Sequence, residues 1–346
     1  MSLSFSALDL VPLVSGGTSV AALRNAGELA QAVDRFGYTR LWYAEHHNMP
    51  GIASTTPEIL IAHVGSMTTR IRLGAGGVML PNHSPLKVAE SYKLLEAIHP
   101  GRIDLGIGRA PGTDGLTALA LRRSRAALVA DDFLEQLSEL IAWGSGEFPP
   151  DHPFRAVRAI PDDRPLPPLY LLGSSDYGAK LAAQMGVAFA FAGHFSPGPP
   201  EPAMRAYRTE FSTRGVLAKP HAILALSVYC ADTVAAAERM ASSALLSFVQ
   251  LRTGRPGRMP SPEEAMSHVF TPEEQVLVAS YKKLQIVGTP EQVRARIEQL
   301  AARTQADEVM IATHAWDHAA RVRSYELVAE ALNSLEFKDY PERNLM

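Results

Sequence analysis

The sequence predicts a (β/α)₈ barrel, also called a TIM barrel, that forms a single domain with insertions in its loops. Short runs of β-branched or aliphatic residues recur along the 346-residue chain, and apolar residues at helical spacing follow them. This alternation is typical of parallel strands joined by helices. Eight such units fit a closed barrel better than an open doubly wound sheet, because the first run is followed by VPLVSGGTSV, which lacks a dinucleotide-binding glycine pattern.

Eight segments are predicted to be the strands of this barrel. Their residues are 4–10, 40–44, 71–80, 103–107, 169–172, 187–192, 222–229 and 308–312. The helices between them carry start and stop signals. Gly37 ends the apolar stripe of the first helix, whereas Thr289, Pro290 and Gln292 supply a hydroxyl cap, a proline at the first helical position and a capping-box partner. We therefore expect one helix to end before Gly37 and another to begin at Pro290.

Two longer stretches interrupt the alternation of strands and helices. Residues 144–168 are rich in proline, and residues 253–287 lie between the seventh predicted strand and the helix that begins at Pro290. The alternation resumes after each stretch, so we interpret both as insertions rather than as linkers between domains. The whole chain, residues 1–346, is thus predicted to be one domain.

Composition restricts the possible classes of function. The chain is 47% hydrophobic and 20% charged, which suits a large buried core, and its formal net charge of −3 argues against a nucleic-acid partner. A single cysteine, Cys230, excludes an internal disulfide and a cysteine-rich zinc site. No segment is apolar for long enough to cross a membrane, and no basic flank precedes the first apolar residues. We expect a cytoplasmic protein without a membrane partner.

Polar residues cluster where the predicted strands end, which is where barrels of this class hold their active sites. Glu45, His46 and His47 follow the second strand, and the further histidines His83 and His194 follow the third and sixth strands. A metal centre built from these groups is one interpretation, but the spacing matches no HxH or HExxH pattern. A solvated loop is a second. The third is an imidazole that exchanges protons at the mouth of the barrel, which requires no metal.

A second group of residues is suited to bind a phosphate. The fifth strand is followed by GSSDYG, whose serine hydroxyls and backbone N–H groups precede a predicted helix, and Arg109 lies among glycines after the fourth strand. A helix N-terminus and an arginine both favour anions. An ordinary helix cap formed by the serines is the alternative interpretation.

Together these motifs resemble the bacterial luciferase-like flavin monooxygenases, in particular the unassigned bacterial members that are similar to the luciferase alpha subunit. The resemblance rests on LWYAEHH, RIRLGAGGVMLPNHSPLKVAE, HPGRIDLGIGRAPGTD, PLYLLGSSDYGAKLAAQMG and VGTPEQV, which occur in this order over nearly the whole chain. It implies a (β/α)₈ barrel that uses reduced FMN and O₂ to oxygenate a small organic substrate through a flavin hydroperoxide. A separate NAD(P)H-dependent flavin reductase would supply the reduced FMN, since no second nucleotide-binding motif is visible.

The resemblance also implies roles for individual residues. His46, beside Glu45, matches the family's catalytic histidine, and both would act on protonation of the flavin peroxide. The residues that would bind FMN are Arg109, Arg125, Ser174, Ser175 and Gly178 at the phosphate, and Gly76 and Gly77, which would form a non-proline cis peptide beneath the isoalloxazine ring. Residues 253–287 would be a mobile active-site loop. Gly108 and Gly178 stand where luciferase has cysteine and threonine, so light emission does not follow from the resemblance.

Three alternatives stay open at this level: a deazaflavin-dependent oxidoreductase on the same barrel, a non-catalytic flavin-binding protein and a metal-dependent hydrolase.

The sequence also carries a signal about assembly. Residues 57–68 and 86–98 are predicted outer helices with more apolar side chains than one buried face requires, among them Ile59 and Leu94. Luciferase-like barrels commonly pair through helices in this part of the chain, so the resemblance implies a homodimer.

Overall fold

Strands and α-helices alternate along most of the chain in the computed structural model, which describes residues 3–196 and 198–333. The strands are β1 (Ser4–Asp9), β2 (Arg40–Tyr43), β3 (Arg72–Ala75), β4 (Val78–Met79), β5 (Ile103–Gly108), β6 (Leu169–Gly173), β7 (Ala188–Phe191), β8 (Ala222–Cys230), β9 (Gln285–Gly288) and β10 (Glu308–Ala312). The helices are α1 (Ser19–Arg35), α2 (Pro57–Gly65), α3 (Pro85–Ile98), α4 (Gly115–Arg122), α5 (Arg125–Val129), α6 (Phe133–Ser145), α7 (Asp176–Met185), α8 (Glu201–Thr209), α9 (Val234–Arg252), α10 (Pro262–Ser267), α11 (Pro272–Lys282), α12 (Pro290–Thr304) and α13 (His318–Asn333). None of the helices in this part of the chain combines the length and the apolar content that a membrane span requires.

Eight strand positions close into a parallel barrel in a single domain, which confirms the predicted fold. The order around the barrel is β10-β1-β2-β3-β5-β6-β7-β8, and β8 pairs with β10 to complete the circle. Because these pairings are parallel, the carboxyl ends of the strands lie at one end of the barrel. Around the circle β2 is opposite β7, β5 is opposite β10, and β6 is opposite β1. These opposite pairs determine which strand ends face each other across the mouth.

Two strands differ from the sequence prediction. The segment predicted as one strand over 71–80 is divided into β3 and β4 at Gly76-Gly77, whose peptide bond is cis, and both pieces pair with β5. The sequence does not predict β9, which pairs with Ser227–Cys230 of β8, beyond the residues of β8 that pair with β7. A strand of four residues carries too short a pattern to be recognised without its partner.

The two insertions have different structures. In the first, predicted over 144–168, residues 144 and 145 belong to the end of α6 and residues 146–168 contain no described helix or strand. Residues 253–287 contain α10, α11 and most of β9. Backbone hydrogen bonds join the second insertion to the mouth of the barrel: the N–H of Met259 donates to Leu13 (2.9 Å), and the N–H of Ser15 donates to Met259 (2.8 Å). This insertion therefore borders the carboxyl end of the barrel. Its mobility stays a prediction.

Side chains at alternate strand positions fill the interior of the barrel. Residues of the opposite parity, such as Leu41 and Leu224, belong to a separate core between the barrel and the helices. The alternation of inward and outward side chains continues for a few residues past the strand ends, and it therefore indicates which of these residues face the mouth of the barrel. The buried interior cluster consists of Leu8, Trp42, Ala44, Tyr170, Ala188, Ala190, Ile223, Ala225, Met310 and Ala312.

A buried ion cluster closes the amino-terminal end of the barrel. Arg40, the first residue of β2, binds Asp104 (Nη1 to Oδ2, 2.7 Å) and Glu308 (Nε to Oε1, 2.7 Å). It also donates a hydrogen bond to the hydroxyl of Tyr170 at 2.7 Å. Burial would raise the pKa of Glu308, but His221 and Arg40 more than compensate, and the pKa is lowered to about 2. These charges lie at the opposite end of the barrel from the carboxyl ends of the strands.

Candidate active site

A large cleft opens at the carboxyl ends of the strands. The space between its walls, together with the adjoining open solvent, is about 1280 Å³, and strands on all sides of the barrel contribute to the lining. Apolar side chains such as Leu10, Met79 and Phe191 form much of the wall.

Glu45 and His46 lie on opposite sides of the barrel wall. His46 continues the inward series of Trp42 and Ala44, and all three residues line the cleft. Glu45 has the opposite parity, is 2% exposed, and is not among the residues that line the cleft. Of the two predicted catalytic residues, His46 alone therefore faces the cleft.

The Glu45 carboxylate joins two neighbouring strand ends. Its Oε1 lies 2.9 Å from Nε2 of His47 and 2.8 Å from Nε2 of His83, and its Oε2 accepts a hydrogen bond from the Met79 N–H at 3.0 Å. Burial would raise the pKa of Glu45, but the hydrogen bonds from His83, His47 and Met79 outweigh burial and lower it. Burial likewise opposes a charge on His83, yet Glu45 raises the pKa of His83. Glu45 is thus an ionised support behind the cleft wall.

His46 is suited to accept a proton. Burial lowers the pKa of its imidazole, Glu45 opposes this effect in part, and His47 lowers the pKa further. The ring is therefore uncharged at neutral pH. Its Nδ1 is buried and has no hydrogen-bond partner within the described part of the chain. A neutral imidazole in this position can take a proton from a bound molecule and return it.

One end of the cleft is suited to hold an anion. Arg109, which follows β5, is exposed and lies over the ring of Tyr177, with Cζ 4.3 Å from the ring centroid. Ser175 caps α7, but its hydroxyl makes no bond to a helix N–H. Ser174, Ser175 and Gly178 line the cleft beside Arg109. A guanidinium group, two hydroxyls and the positive end of a ten-residue helix thus converge on one place.

Gly76, which lines the cleft, and its neighbour Gly77 have no space for a side chain. A Cβ atom at Gly76 would come within 2.8 Å of Cδ1 of Leu8 and 3.2 Å of Cβ of Trp42. A Cβ atom at Gly77 would lie 2.6 Å from the backbone oxygen of Gly106. Neither position can hold a side chain without displacing its neighbours. The peptide bond between the two glycines is cis, as the resemblance implies.

Two predicted binding residues are not among those that line the cleft: Gly77, which is next to the lining residue Gly76, and Arg125. Arg125 is exposed at the start of α5. The nearby Arg122 donates to the side-chain oxygen of Asn82 at 3.1 Å and to the carbonyl of Ala127 at 3.2 Å. A contact between Arg125 and a phosphate stays a prediction.

Sequence patterns assign no role to Tyr177 and connect His194 only with a metal. In the structure Tyr177 lies beneath Arg109, and His194 lines the cleft after β7. Parity could have identified His194 as a cleft residue, because it continues the inward series of Ala188 and Ala190. Within residues 3–196 and 198–333, no three His, Cys, Asp or Glu side chains are arranged to hold a metal ion.

Comparison with known proteins places these features in a family. The sequence profile described as luciferase-like monooxygenase matches residues 5–308. A protein of Escherichia coli (strain K12) named luciferase-like monooxygenase is 40% identical over 333 residues, which cover 96% of this chain and 98% of that protein. The N-acetyl-S-alkylcysteine monooxygenase of Bacillus subtilis (strain 168) is 35% identical over 330 residues, which cover 94% of this chain and 97% of the relative.

Solved structures have the same fold. The structure of apo-MsnO8 matches with a TM-score of 0.87 and 35% identity, over 96% of this chain and 98% of its own. Two more distant structures show the fold alone, over 96% of this chain and 98% or more of theirs. They are an FMN complex of the oxygenating constituent of 3,6-diketocamphane monooxygenase (20% identity, TM-score 0.72) and an F420-dependent secondary alcohol dehydrogenase (13% identity, TM-score 0.67). Since the family profile spans most of the chain and full-length relatives exceed 30% identity, the protein belongs to the luciferase-like monooxygenase family.

Proposed function

We propose that the protein is a flavin-dependent monooxygenase that uses reduced FMN and O₂ to oxygenate a small organic substrate. One arrangement carries the proposal: Arg109 and the start of α7 form an anion-binding end, and the uncharged imidazole of His46 lies in the same apolar cleft. FMN consists of a phosphate and a largely apolar ring system, so its two parts match these two regions. Membership of the luciferase-like monooxygenase family supports the same activity.

The residues of the cleft fit FMN chemically. Arg109, the hydroxyls of Ser174 and Ser175 and the first turn of α7 at Gly178 would hold the phosphate. The glycines at positions 76–77, where a Cβ atom has no space, would let a flat ring approach the backbone. When bound, reduced FMN supplies the electrons with which O₂ is activated. That a separate NAD(P)H-dependent reductase supplies the reduced FMN is a prediction from the sequence, and so is the cytoplasmic location of the protein.

The chain's own residues would have separate tasks in this reaction. His46 would accept and return a proton at its imidazole. Glu45, held by His47 and His83, would fix the end of the second strand. Its negative charge would also stabilise the positively charged imidazolium form of His46. The apolar wall would limit the access of water to the reacting groups.

Reaction with oxygen separates this function from a deazaflavin-dependent oxidoreductase and from a non-catalytic flavin-binding protein. The protein is loaded with FMN, reduced anaerobically and mixed with oxygenated buffer in a stopped-flow instrument. We expect reoxidation in two resolved phases, the second slower than the reoxidation of free reduced FMN under the same conditions. A single phase equal to that of free FMN would contradict the monooxygenase. Tight binding of a deazaflavin without binding of FMN would favour the oxidoreductase.

Replacing Arg109 by alanine is expected to weaken the binding of FMN by about 1.5–3 kcal/mol, the range for a hydrogen bond to a charged group. Riboflavin lacks the phosphate, so its affinity should change little. Fluorescence titration of both flavins measures the difference. Arg158→Ala removes an arginine that is 78% exposed in the proline-rich insertion and should leave both affinities unchanged. Equal losses for FMN and riboflavin would show that Arg109 does not hold the phosphate.

We also propose that the protein is a homodimer that pairs through α2 and α3. Ile59 on α2 and Leu94 and Ile98 on α3 are 66%, 53% and 53% exposed. Large apolar side chains on adjacent exposed helices suit a two-fold interface. The other apolar residues predicted on these helices are buried against the rest of the chain: Leu60, Ile61, Val88 and Leu95.

Light scattering at micromolar concentration is expected to give twice the chain mass of 37.4 kDa. Leu94→Glu places a charge within the proposed interface and should give the mass of a single chain. Val20→Glu changes a side chain on α1 that is 67% exposed and should leave the dimer intact. A wild-type mass of 37.4 kDa would rule out the dimer without affecting the catalytic proposal.

A further inference from the structure

The wall of the cleft opposite the phosphate end is apolar. Arg109 follows β5 and Ser174 follows β6, and the strands opposite these two in the closed barrel are β10 and β1. Leu8 of β1, Leu10 directly after this strand and Met310 of β10 line the cleft there. Among the described residues that line the cleft, Arg109 is the single one with a permanently charged side chain. FMN anchored by its phosphate would therefore leave the β10–β1 wall for the substrate.

A buried ion pair lies behind this wall. Asp9 of β1 alternates with Leu8 and Leu10, so it points away from the cleft. Its Oδ1 lies 3.0 Å from Nη1 of Arg321 on α13, and both residues are 2% exposed. The same oxygen accepts a hydrogen bond from the N–H of Val11 at 2.8 Å. This ion pair presents no net charge to a molecule in the cleft.

Two imidazoles line the cleft on opposite strands, His46 next to the β10–β1 wall and His194 separated from it by β8. His46 follows β2 and His194 follows β7, and these strands are opposite each other in the barrel. The ring of His194 packs edge-on against Phe195, with the centroids 4.8 Å apart, and its buried Nδ1 has no partner among the residues described. Burial, with a smaller effect of His46, lowers the pKa of His194 to about 4. His194 is thus an uncharged hydrogen-bonding group at neutral pH without an assigned partner.

We propose that the substrate is an uncharged organic molecule that lies against the β10–β1 wall and presents a hydrogen-bonding heteroatom, such as a carbonyl oxygen, to His194. The inference rests on the proposed function, because it assigns the phosphate end to the cofactor. A carboxylate or ammonium group at this wall would lose its hydration without gaining an oppositely charged partner. A carbonyl group loses less on burial, and the imidazole replaces its hydrogen bond with water.

Isosteric probe pairs test the substrate class. Benzylacetone and hydrocinnamate differ by a methyl group in place of a carboxylate oxygen, and methyl nonyl ketone and decanoate differ in the same way. The probes are titrated at neutral pH into the FMN-loaded protein while the flavin absorbance is followed. Each ketone is expected to bind at least about tenfold more tightly than its carboxylate. Equal or reversed affinities, or no binding of any of these probes, would overturn the proposal.

The FMN-free protein separates a failure of this inference from a failure of the proposed function. Trp42 lines the cleft, so tryptophan fluorescence reports the binding of the same probes without a cofactor. If FMN does not bind but the ketones are preferred, the proposed function fails and the charge selectivity of the cleft stands. If FMN binds and the ketones are not preferred, the inference fails alone.

His194→Phe tests the hydrogen bond itself. Phenylalanine keeps a ring beside Phe195 but cannot bind a carbonyl, so the preference for benzylacetone over butylbenzene should fall roughly three- to tenfold. The affinities for butylbenzene and FMN should not change, and His194→Gln should restore part of the preference. His152→Phe, which replaces a ring 4.5 Å from Phe148 outside the cleft, is the control. An unchanged preference in a folded His194→Phe protein would overturn the assignment of His194.

Discussion

The His46→Ala variant is expected to lose the slow phase of flavin reoxidation and, with a substrate, about 10²–10⁴-fold in turnover, the contribution of a positioned general acid or base. The substitution removes an imidazole that is uncharged at neutral pH and faces the cleft. Binding of FMN should be nearly unchanged, because the groups suited to its phosphate follow β5 and β6. Stopped-flow absorbance and a fluorescence titration of FMN measure the two effects on the same preparation.

His47 provides the matched control for this experiment. It is the next residue along the chain, but its Nε2 contacts Glu45 (2.9 Å), and it is not among the residues that line the cleft. His47→Ala should therefore keep the slow phase of reoxidation. If His47→Ala lost this phase and His46→Ala retained it, the proton-transfer role would belong to His47.

The pH dependence of turnover should follow the ionisation of His46. Since burial lowers the pKa of His46, the uncharged form persists below the ordinary range, and activity should decline only as the pH falls through the lowered value. Glu45 opposes this lowering, so Glu45→Gln should move the acid limb to still lower pH. His47 and His83, which contact Glu45, are retained in this variant. If the acid limb of the pH profile stayed at the same pH in Glu45→Gln while FMN binding was intact, the limb would belong to the ionisation of another group.

Glu308→Gln is expected to reduce the free energy of unfolding by about 3–5 kcal/mol, the cost of breaking a buried ion pair from one side. Arg40 would keep Asp104 but lose the negative charge of the Glu308 carboxylate, which is 1% exposed, and one of its two hydrogen bonds there, because glutamine keeps a single accepting oxygen. Urea denaturation at neutral pH measures the loss. Asp162→Asn removes a pair with Arg158 whose side chains are 56% and 78% exposed, and it should cost less than about 1 kcal/mol.

Acid denaturation provides the second readout of Glu308. Its pKa is lowered from 4.5 to about 2, so its ionised form stabilises the folded chain at pH values above 4.5. This stabilisation, about 3 kcal/mol at 1.36 kcal/mol per pKa unit, is lost as the pH falls from 4.5 to about 2. Glu308→Gln should lose less stability over this range than the wild type. Parallel losses in both proteins would show that Glu308 is not ionised in the folded state.

Most of the barrel follows from short-range patterns in the sequence. The strands predicted over 40–44, 103–107 and 308–312 agree within one residue with β2, β5 and β10. At the start of α12, the N–H of Thr289 donates to the side-chain oxygen of Gln292 at 3.0 Å, as the capping-box pattern predicts. Such features repeat every two or every three to four residues, so a few neighbouring residues are sufficient to specify them.

Motif order was also informative about the family and about part of the site. The family that the motifs indicate is confirmed by the profile match over residues 5–308. The cis peptide implied at Gly76-Gly77 is present, and Arg109, Ser174 and Ser175 line one cleft with His46. Parallel strands end on the same side of a barrel, so residues that follow different strands meet there even when they are far apart in the chain.

Other features depended on contacts that no short window of sequence contains. Glu45 meets His83, 38 positions later, and it therefore supports the cleft wall from behind instead of facing the cleft. Arg40 meets Glu308, 268 positions later, and β9 becomes recognisable through its pairing with β8. Arg125 matched a family position but is exposed on α5, away from the cleft lining. The physical reason is common to these cases: burial and partner choice arise when distant segments pack, whereas local sequence carries periodicity and turn chemistry alone.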